Sequence, residues 1–358
     1  MAVVMVAGNA AVMPDGLLSG VRTLTANIVL EMGYAADLHR EALIATAVVL
    51  FVFILIINLM FSLLGDFAFP CFKLSKALRQ YRGHKGSLAV RLLLYGAAVF
   101  TIGLLLFLIA YILVKGIPNL TPELFAWKYT SENVSMLPSI INTLLMTGLT
   151  LLLAVPIGVG AAVYMTEYAK TGSKLVKVVR ITTETLQGIP SIVYGLFGFL
   201  FFVIACGWDY SLLSGVCTMA IMVLPLIMRT TEEALLAVPG TYREGSFGLG
   251  AGKLRTIFTI VLPSAVPGIL SGVILAVGRI VGETAALIFT AGTYAAVPKD
   301  LFSSTRTLSV HMYALLNEGL YTNQAYATAV VLLVVVIGIN CLSGAVAKKF
   351  AGGANKDE

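Results

Sequence analysis

Charged residues are scarce in this chain. Only 12% of its 358 residues are Asp, Glu, Lys or Arg, whereas a soluble domain carries about 25%. Histidines and cysteines are also few, three and four respectively. The cysteines have no metal-binding spacing and no histidine cluster beside them, and we expect them to be small core hydrophobes. These shortages argue against a soluble protein and against an enzyme built on a metal or on a His/Asp/Glu cluster.

A nucleotide-binding P-loop is missing as well. The string GLGAGK, residues 248–253, is superficially similar to one. The motif, however, needs a Gly where Phe247 stands and a Ser or Thr where Leu254 stands. We therefore expect no ATPase site and no cofactor in this chain, so that any ATP hydrolysis must come from a partner.

Long apolar runs take the place of charge. Apolar residues make up 58% of the chain, and a helix needs about 20 mostly apolar residues to cross a bilayer. Barrel strands would alternate in polarity, which these runs do not. We predict an all-α polytopic membrane protein, in which the fourth run extends back through residues 181–187. The predicted spans lie at 42–64, 90–114, 140–165, 190–206, 212–230, 265–291 and 325–347.

The basic residues are unevenly divided between the two sets of loops. Seventeen Lys and Arg residues lie before the second span, after the third, in the central loop and at the end of the chain, whereas six lie in the opposite loops. Arg279 alone stands inside an apolar run. Because basic residues are retained on the cytoplasmic side, the larger group is predicted to be cytoplasmic. The net charge of +6 is explained in this way, without nucleic acid as a partner.

A polar, glycine-rich segment, residues 241–263, interrupts the apolar runs on the predicted cytoplasmic side. We predict a short helix that begins near Thr241 and stops at the glycine cluster 248–252. A second helix is predicted from Lys253 to about Leu262. Small side chains would let this segment lie closely in a groove of a partner.

The spacing of this segment resembles the EAA loop of bacterial ABC importer permeases. The family pattern is Glu-Ala-Ala, three residues, Gly, nine residues, Ile-x-Leu-Pro, and five positions fit it: Glu244, Gly250, Ile260, Leu262 and Pro263. Gly245 and Ser246 replace the two alanines, and both are small. The resemblance implies a docking site for a separate ATPase, with Glu244 meeting a basic group there. An ordinary cytoplasmic loop is the alternative.

The string GRIVGET, residues 278–284, carries two charges inside an apolar run. Arg279 and Glu283 are four residues apart, which predicts one helix face. A charge at such a depth costs at least about 2.5–3.5 kcal/mol. We assign Arg279, Glu283 and Thr284 to a translocation path, where Arg279 attracts an anion and Glu283 neutralises it in the anion's absence. A structural ion pair is the alternative. Other acidic residues near helix ends, Glu167 and Glu232 among them, are expected to be solvated.

An internal repeat accounts for the start of the chain. Residues 7–24 match residues 291–308 without a gap, including Arg-Thr-Leu at 22–24 and at 306–308. We therefore expect residues 1–64 to be an external segment plus an extra transmembrane helix, copied from the last loop and helix of a permease and beginning as if its upstream helices were missing. Residues 65–89 are predicted to form a cytoplasmic basic connector, and residues 90–350 a six-helix permease domain.

Residues 90–350 further resemble the PstA family of phosphate-transport permeases. Three strings carry the resemblance, in addition to the EAA loop: GIPSIVYGLFG at 188–198, LPLIMRTTEEALLAVP at 224–239 and LPSAVPGILSGVILAVGRIVGETAALIFTAG at 262–292. Residues 1–64 are similar to the end of the sister family, PstC. The resemblance implies a MetI-like fold in the bacterial inner membrane and phosphate as the substrate.

The same resemblance implies the partners. They are a PstC-like sister permease, a cytoplasmic PstB-like ATP-binding subunit, a periplasmic PstS-like phosphate-binding protein and membrane lipid. Three alternatives remain at this point: a permease for another oxyanion such as molybdate or sulfate, a membrane-embedded enzyme, and an ion channel. GRIVGET and GIPSIVYG argue against the first, the missing catalytic cluster against the second, and the EAA-like loop against the third.

Overall fold

The computed structural model describes residues 22–31, 41–53, 56, 85–170 and 172–353. Within these residues the chain consists of helices and connecting loops, without a β-strand. Its α-helices, numbered in chain order, are α1 Leu24–Glu31, α2 Glu41–Phe53, α3 Lys85–Gly116, α4 Leu137–Val163, α5 Lys174–Gly188, α6 Ser191–Gly198, α7 Leu212–Ala237, α8 Gly240–Gly248, α9 Lys253–Thr256, α10 Leu262–Gly282, α11 Ala285–Thr290, α12 Leu308–Glu318 and α13 Thr322–Gly353.

Six stretches of the described chain are long and apolar enough to cross a membrane, if one bent pair of helices counts as a single span. They are Tyr95–Asn119, Leu137–Tyr168, Lys174–Gly188 with Ser191–Ala205, Leu212–Ala237, Lys253–Gly282 and Thr322–Ala345. The predicted all-α architecture with a six-helix core is thereby confirmed. Of the additional span predicted at 42–64, only α2 and Ile56 belong to the described residues.

The third span is bent where the predicted run 190–206 extends back through residues 181–187, a bend that the sequence analysis did not predict. Helices α5 and α6 meet at an angle of 103°. The cause is the Ile189–Pro190 step. Proline has no N–H to donate and forces the residue before it out of the helical region, and Ile189 is extended at φ −73°, ψ 132°. The apolar half of the span therefore begins at Ser191. The basic residues Lys174, Lys177 and Arg180 all lie on the preceding helix, α5.

Helix α7 lies at the centre of the core. Of its apolar window, 67% is buried, and it packs against α4 and α10. Met219 and Met222 are completely or almost completely buried here, together with Ala276 of α10. The third span approaches α7 closely, because a Cβ at Gly198 would lie 2.1 Å from Thr218 Oγ1. Gly195 and Gly198 of the string GIPSIVYGLFG thus allow close helix packing, since a Cβ at Gly195 would lie 2.8 Å from Ala286 Cα.

Helix α3 stands at the other extreme. None of its apolar window is buried within the chain, and Phe100 and Phe107 are among its exposed side chains. It packs against α13. At its end the two helices touch, since a Cβ at Gly116 would lie 2.4 Å from the carbonyl oxygen of Tyr326. The free faces of α3 are suited to lipid or to another membrane helix.

The N-terminal helices rest on the outer half of the third span. Ile28 of α1 and Leu43 of α2 are buried in one apolar cluster with Ile192 and Leu196 of α6. Helix α1 begins directly after Arg22-Thr23, and α12 begins directly after the repeated Arg306-Thr307. Both copies of the Arg-Thr-Leu string therefore precede a helix.

Two ion pairs with largely buried carboxylates tie helix ends together. Arg180 Nε donates to Glu232 Oε1 at 2.7 Å, and Arg243 binds Glu167. Glu232 is only 8% exposed, so the expectation that Glu167 and Glu232 are solvated is wrong. Their partners lie 52 and 76 residues away in sequence, a distance that local sequence patterns do not bridge.

Candidate functional site

The EAA-like segment folds as two helices around a glycine turn. Helix α8 ends as predicted, because Gly250 adopts φ +83°, a conformation that only glycine takes without strain. Its N–H donates to Phe247 O at 2.9 Å, and the next N–H, of Ala251, donates to Ser246 O at 3.1 Å. This pair of bonds is the Schellman motif, which satisfies the last carbonyls of a helix. The helix begins at Gly240, one residue before the predicted Thr241.

The two halves of the segment are fastened to each other by hydroxyl groups. Ser246 is 6% exposed, and its Oγ lies 2.8 Å from Thr256 Oγ1. Ser246 occupies an alanine position of the family pattern, and the hydroxyl thus adds a hydrogen bond where alanine would add only contact. Gly245 faces open space.

The second helix does not stop near Leu262, and the prediction that it does is wrong. Helix α9, a π-helical turn at Ile257–Val261 and α10 form one continuous span from Lys253 to Gly282. Pro263 is tolerated at the start of α10 because the widened turn before it relieves the backbone. Ile260 and Leu262 are partly buried, and Leu262 packs on the cluster formed by Val261 and its neighbours.

The outward surface of the segment combines one free carboxylate with apolar side chains. Glu244 is exposed and forms no ion pair with the described residues. Beside it in sequence, Leu249 is 92% exposed, and Phe247 and Leu254 are also exposed. Exposed apolar groups beside a charge are typical of a protein contact surface.

The helix ends within the GRIVGET string, between Arg279 and Glu283. Helix α10 ends at Gly282, and Glu283 is extended at φ −73°, ψ 132°. The prediction that Arg279 and Glu283 share a helix face is therefore wrong. Glu283 Oε1 instead accepts the N–H of Ala286 at 3.1 Å, and its carbonyl accepts Ser309 Oγ at 2.5 Å. A carboxylate at this point caps α11, whose free N–H groups it satisfies.

Arg279 is left without a counter-ion. In the described chain its guanidinium, which is partly buried, forms neither an ion pair nor a hydrogen bond. The hydroxyl of Tyr194 is within electrostatic range, but it donates its own hydrogen bond to Leu186 O at 2.7 Å. Thr284 is the partly buried residue that precedes α11. The three residues assigned to the translocation path are thus brought to one helix break, with only Arg279 unpaired.

Sequence reasoning missed Arg306, which was counted only as a basic residue of an outer loop. It is 5% exposed, and its Nε and Nη2 find no acceptor among the described residues. The repeated Arg-Thr-Leu string was the signal that could have singled it out. The described part of the chain contains no group of three His, Cys, Asp or Glu residues placed to hold a metal ion.

Six apolar spans and a helical segment with an exposed contact surface define an α-helical, multi-pass membrane protein of the transport class. The chain belongs to the family of binding-protein-dependent transport system inner membrane components, whose profile matches residues 154–352. It is a permease subunit of the inner membrane, and its family implies a separate ATPase and a binding protein as partners. The predicted permease function, its location and the absence of an ATPase of its own are thereby confirmed.

Curated relatives and solved structures agree with this class. The chain is 33% identical over 238 residues to the probable ABC transporter permease protein YqgI of Bacillus subtilis (strain 168), covering 62% of this chain and 81% of that protein. It is 39% identical over 197 residues to the phosphate transport system permease protein PstA of Pasteurella multocida (strain Pm70), covering 54% and 70%. A bacterial ABC transporter that imports the acidic polysaccharide alginate matches in fold, with a TM-score of 0.53 at 18% identity, over 74% of this chain and 98% of that one.

Proposed function

We propose that this permease subunit passes inorganic phosphate across the membrane. The observation that carries the proposal is the unpaired guanidinium of Arg279, partly buried in a membrane span. A charge at that depth is costly unless it faces a wet path or a ligand. The planar fork of arginine matches a tetrahedral oxyanion with two parallel hydrogen bonds. The relatives named as phosphate permeases support phosphate over other oxyanions.

Glu283 has a different part in this proposal. Because it caps α11, it fixes the helix break next to Arg279 and does not neutralise the arginine. Thr284, partly buried at the same break, remains available to the path. The anion thus meets a positive charge that no carboxylate of the described residues pairs with.

The EAA-like segment is proposed to receive the ATPase. Glu244 would meet a basic group of that subunit, and the exposed Leu249 and Phe247 would fill its groove. The other pattern residues belong to the same segment, and among them Ser246 is buried and Ile260 and Leu262 are partly buried, whereas Gly245, Gly250 and Pro263 are exposed. We take the full set of partners to be a PstB-like ATPase, a PstC-like sister permease and a PstS-like binding protein.

The decisive experiment is phosphate uptake by the reconstituted importer carrying Arg279→Gln, Arg279→Lys or Arg279→Gln with Glu283→Gln. We expect at least a tenfold loss with Gln and a partial loss with Lys, because Lys keeps the charge but not the fork. The double variant should stay inactive, since Glu283 does not pair with Arg279. Arg229→Gln, which removes an exposed arginine side chain, is the matched control.

Four results would overturn the assignment. Uptake near the parent level in the double variant would restore the structural ion pair as the role of the two charges. Full uptake of sulfate or molybdate with none of phosphate would move the permease to another oxyanion. Uptake that needs neither ATP nor a binding protein would favour a channel, and chemical turnover of a membrane substrate would favour an enzyme.

Residues 1–64 are proposed to be a PstC-like copy, with an external segment followed by an extra transmembrane helix. The support is the shared helix start after Arg-Thr at 22–23 and 306–307. A variant free of native cysteines tests it through Ser19→Cys and Ser75→Cys. An impermeant maleimide should label only the first in sealed cells, and labelling of the second would reverse the proposed orientation.

A further inference from the structure

A second basic region lies on the face of the protein that the charge distribution assigns to the outside. A cavity of about 640 Å³ opens between the loop before α4 and the loop before α12. Cavities of this size are typical of small-ligand sites. Its lining includes Lys128, Tyr129, Tyr294, Lys299 and Arg306. Among the described residues that line it, none is acidic, so the cavity has a single sign of charge.

Arg306 is the buried member of this lining. Its side chain is held over the ring of Tyr129, with the guanidinium carbon 4.7 Å from the ring centre. Its backbone carbonyl accepts Asn142 Nδ2 at 3.2 Å. Nε and Nη2 are nevertheless without acceptors in the described chain. Burying a charge without a partner is unfavourable. A fixed, desolvated guanidinium with unpaired N–H donors therefore favours the binding of an anion.

The internal repeat shows what a paired arginine looks like at the same position. In the first copy, Arg22 Nη1 donates to Glu31 Oε1 at 2.6 Å and to Asn27 Oδ1 at 3.2 Å. Continuing the same register, 284 residues on, the carboxylate is replaced by Leu315 and the amide by His311. Helix α12, which follows Arg306 as α1 follows Arg22, therefore has no carboxylate at the position equivalent to Glu31.

The other groups around Arg306 do not supply the missing charge. Burial, and secondarily Arg306 itself, lower the pKa of His311 to about 3, against a weaker opposing contact with the Val134 backbone. The imidazole is thus neutral at physiological pH. Asp300 follows Lys299 in sequence, but its Oδ1 already accepts Ser303 Oγ at 2.8 Å and the N–H of Phe302 at 3.0 Å.

We propose that this cavity is an outer oxyanion site, in which Arg306 binds inorganic phosphate with the help of Lys128 and Lys299 before the anion reaches Arg279. The guanidinium supplies the paired donors that an oxyanion accepts, and the two lysines supply attraction from the exposed rim. The choice of phosphate among oxyanions rests on the proposed function. The existence of an anion site rests only on the geometry of the cavity.

Trp127 lines the same cavity and provides a local probe. The complete importer, labelled with 5-fluorotryptophan and reconstituted without its binding protein, is titrated with inorganic phosphate and observed by fluorine NMR. Trp127→Phe assigns the resonance, and chloride at equal ionic strength measures the effect of salt alone. We expect a saturable shift of the Trp127 resonance with phosphate, and no saturable shift with chloride.

The variants then separate this site from the path at Arg279. Arg306→Gln should weaken phosphate binding at least tenfold, and Lys299→Gln, an exposed change that leaves folding intact, should weaken it several-fold. Lys115→Gln, which removes an exposed outer lysine away from the cavity, should have no effect. Arg279→Gln should abolish uptake while the Trp127 shift remains.

Three outcomes would overturn parts of the proposal in distinguishable ways. An absent shift, or an unchanged one in both Arg306→Gln and Lys299→Gln, removes the site while leaving the role of Arg279 untouched. A shift that appears with the binding protein alone, without phosphate, assigns the cavity to a carboxylate of that protein and overturns the anion site. Shifts with sulfate or molybdate but not with phosphate keep the site and overturn the proposed substrate.

Discussion

Arg243 binds Glu167 through two of its nitrogens, with Nε and Nη2 lying 3.0 and 2.6 Å from Glu167 Oε1. The same guanidinium also donates to the carbonyls of Val238 and Leu235. Arg243 belongs to the EAA-like segment, residues 241–263, and its side chain thereby connects the end of α4 to the end of α7. The contact surface on α8 is held against the membrane core by this arrangement.

Breaking this pair should loosen the cytoplasmic end of the protein. The Glu167 side chain is only 9% exposed, and removing one partner of a buried pair costs about 3–5 kcal/mol. We expect Glu167→Gln to lower the melting temperature of the purified importer and its ATP-driven uptake. Glu233→Gln breaks the exposed pair with Arg229, which is worth about 0–1 kcal/mol. Equal effects of the two changes would contradict the anchoring role.

The turn at Gly250 should be sensitive to a single methyl group. Nothing lies within 4 Å of a Cβ built there, so Gly250→Ala tests the backbone alone. Forcing alanine to φ +83° costs about 1–2 kcal/mol. Gly245→Ala adds the same methyl inside α8, also in open space, and should stabilise the helix by about 1 kcal/mol. Opposite shifts in melting temperature are expected, and a stabilising Gly250→Ala would refute the argument.

Helix α10 should tolerate a methyl group at one glycine and not at another. A Cβ at Gly272 would lie 1.9 Å from Thr230 Oγ1, where α10 packs on α7. Overpacking of this kind costs about 1–3 kcal/mol, so Gly272→Ala should reduce the amount of assembled importer. Gly278→Ala meets no atom within 4 Å and should assemble normally. Size-exclusion chromatography of the two variants decides the matter, and normal assembly of both would show that the helices separate easily.

His311 should make the stability of the outer face depend on pH. Burial, and then Arg306, lower its pKa from 6.5 to about 3 in the folded protein. Between pH 6.5 and about 3, His311 is therefore protonated in the unfolded chain but neutral in the folded chain. The contribution of His311 to stability is fully present above pH 6.5 and falls as the pH drops towards 3. Unfolding of the parent and of His311→Gln, followed between these limits, should diverge, and parallel pH profiles would contradict the lowered pKa.

The sequence predicted the helices and the glycine turn after α8 well because both depend on local patterns. Apolar length located the spans Leu137–Tyr168 and Thr322–Ala345 to within three residues at each end, whereas the span predicted at 265–291 begins twelve residues earlier, at Lys253. The glycine cluster located the end of α8. Pro190 is part of the string GIPSIVYGLFG, but the size of the bend that it causes depends on how the fold supports Ile189. The 103° bend therefore needed the structure.

The charged sites were harder to predict, because their partners are distant in sequence. Spacing alone paired Arg279 with Glu283, yet the helix ends between them and Glu283 turns to the N–H of Ala286. Arg306 is a second case in which the sequence did not show whether a charge has a partner. Its string, Arg-Thr-Leu, is shared with residues 22–24, and only the three-dimensional contacts show that Glu31 neutralises one copy and nothing in the described chain neutralises the other.

The continuity of α9, the π-helical turn and α10 has a mechanical consequence. From Lys253 to Arg279 the chain is one helical shaft of about 39 Å, at 1.5 Å per residue, without a loop in between. If the helix is tilted at its Lys253 end, its other end moves with it, and Arg279 is displaced. The helix ends only at Glu283, one turn beyond the arginine. A displacement of the EAA-like segment is therefore transmitted to Arg279 through continuous helix.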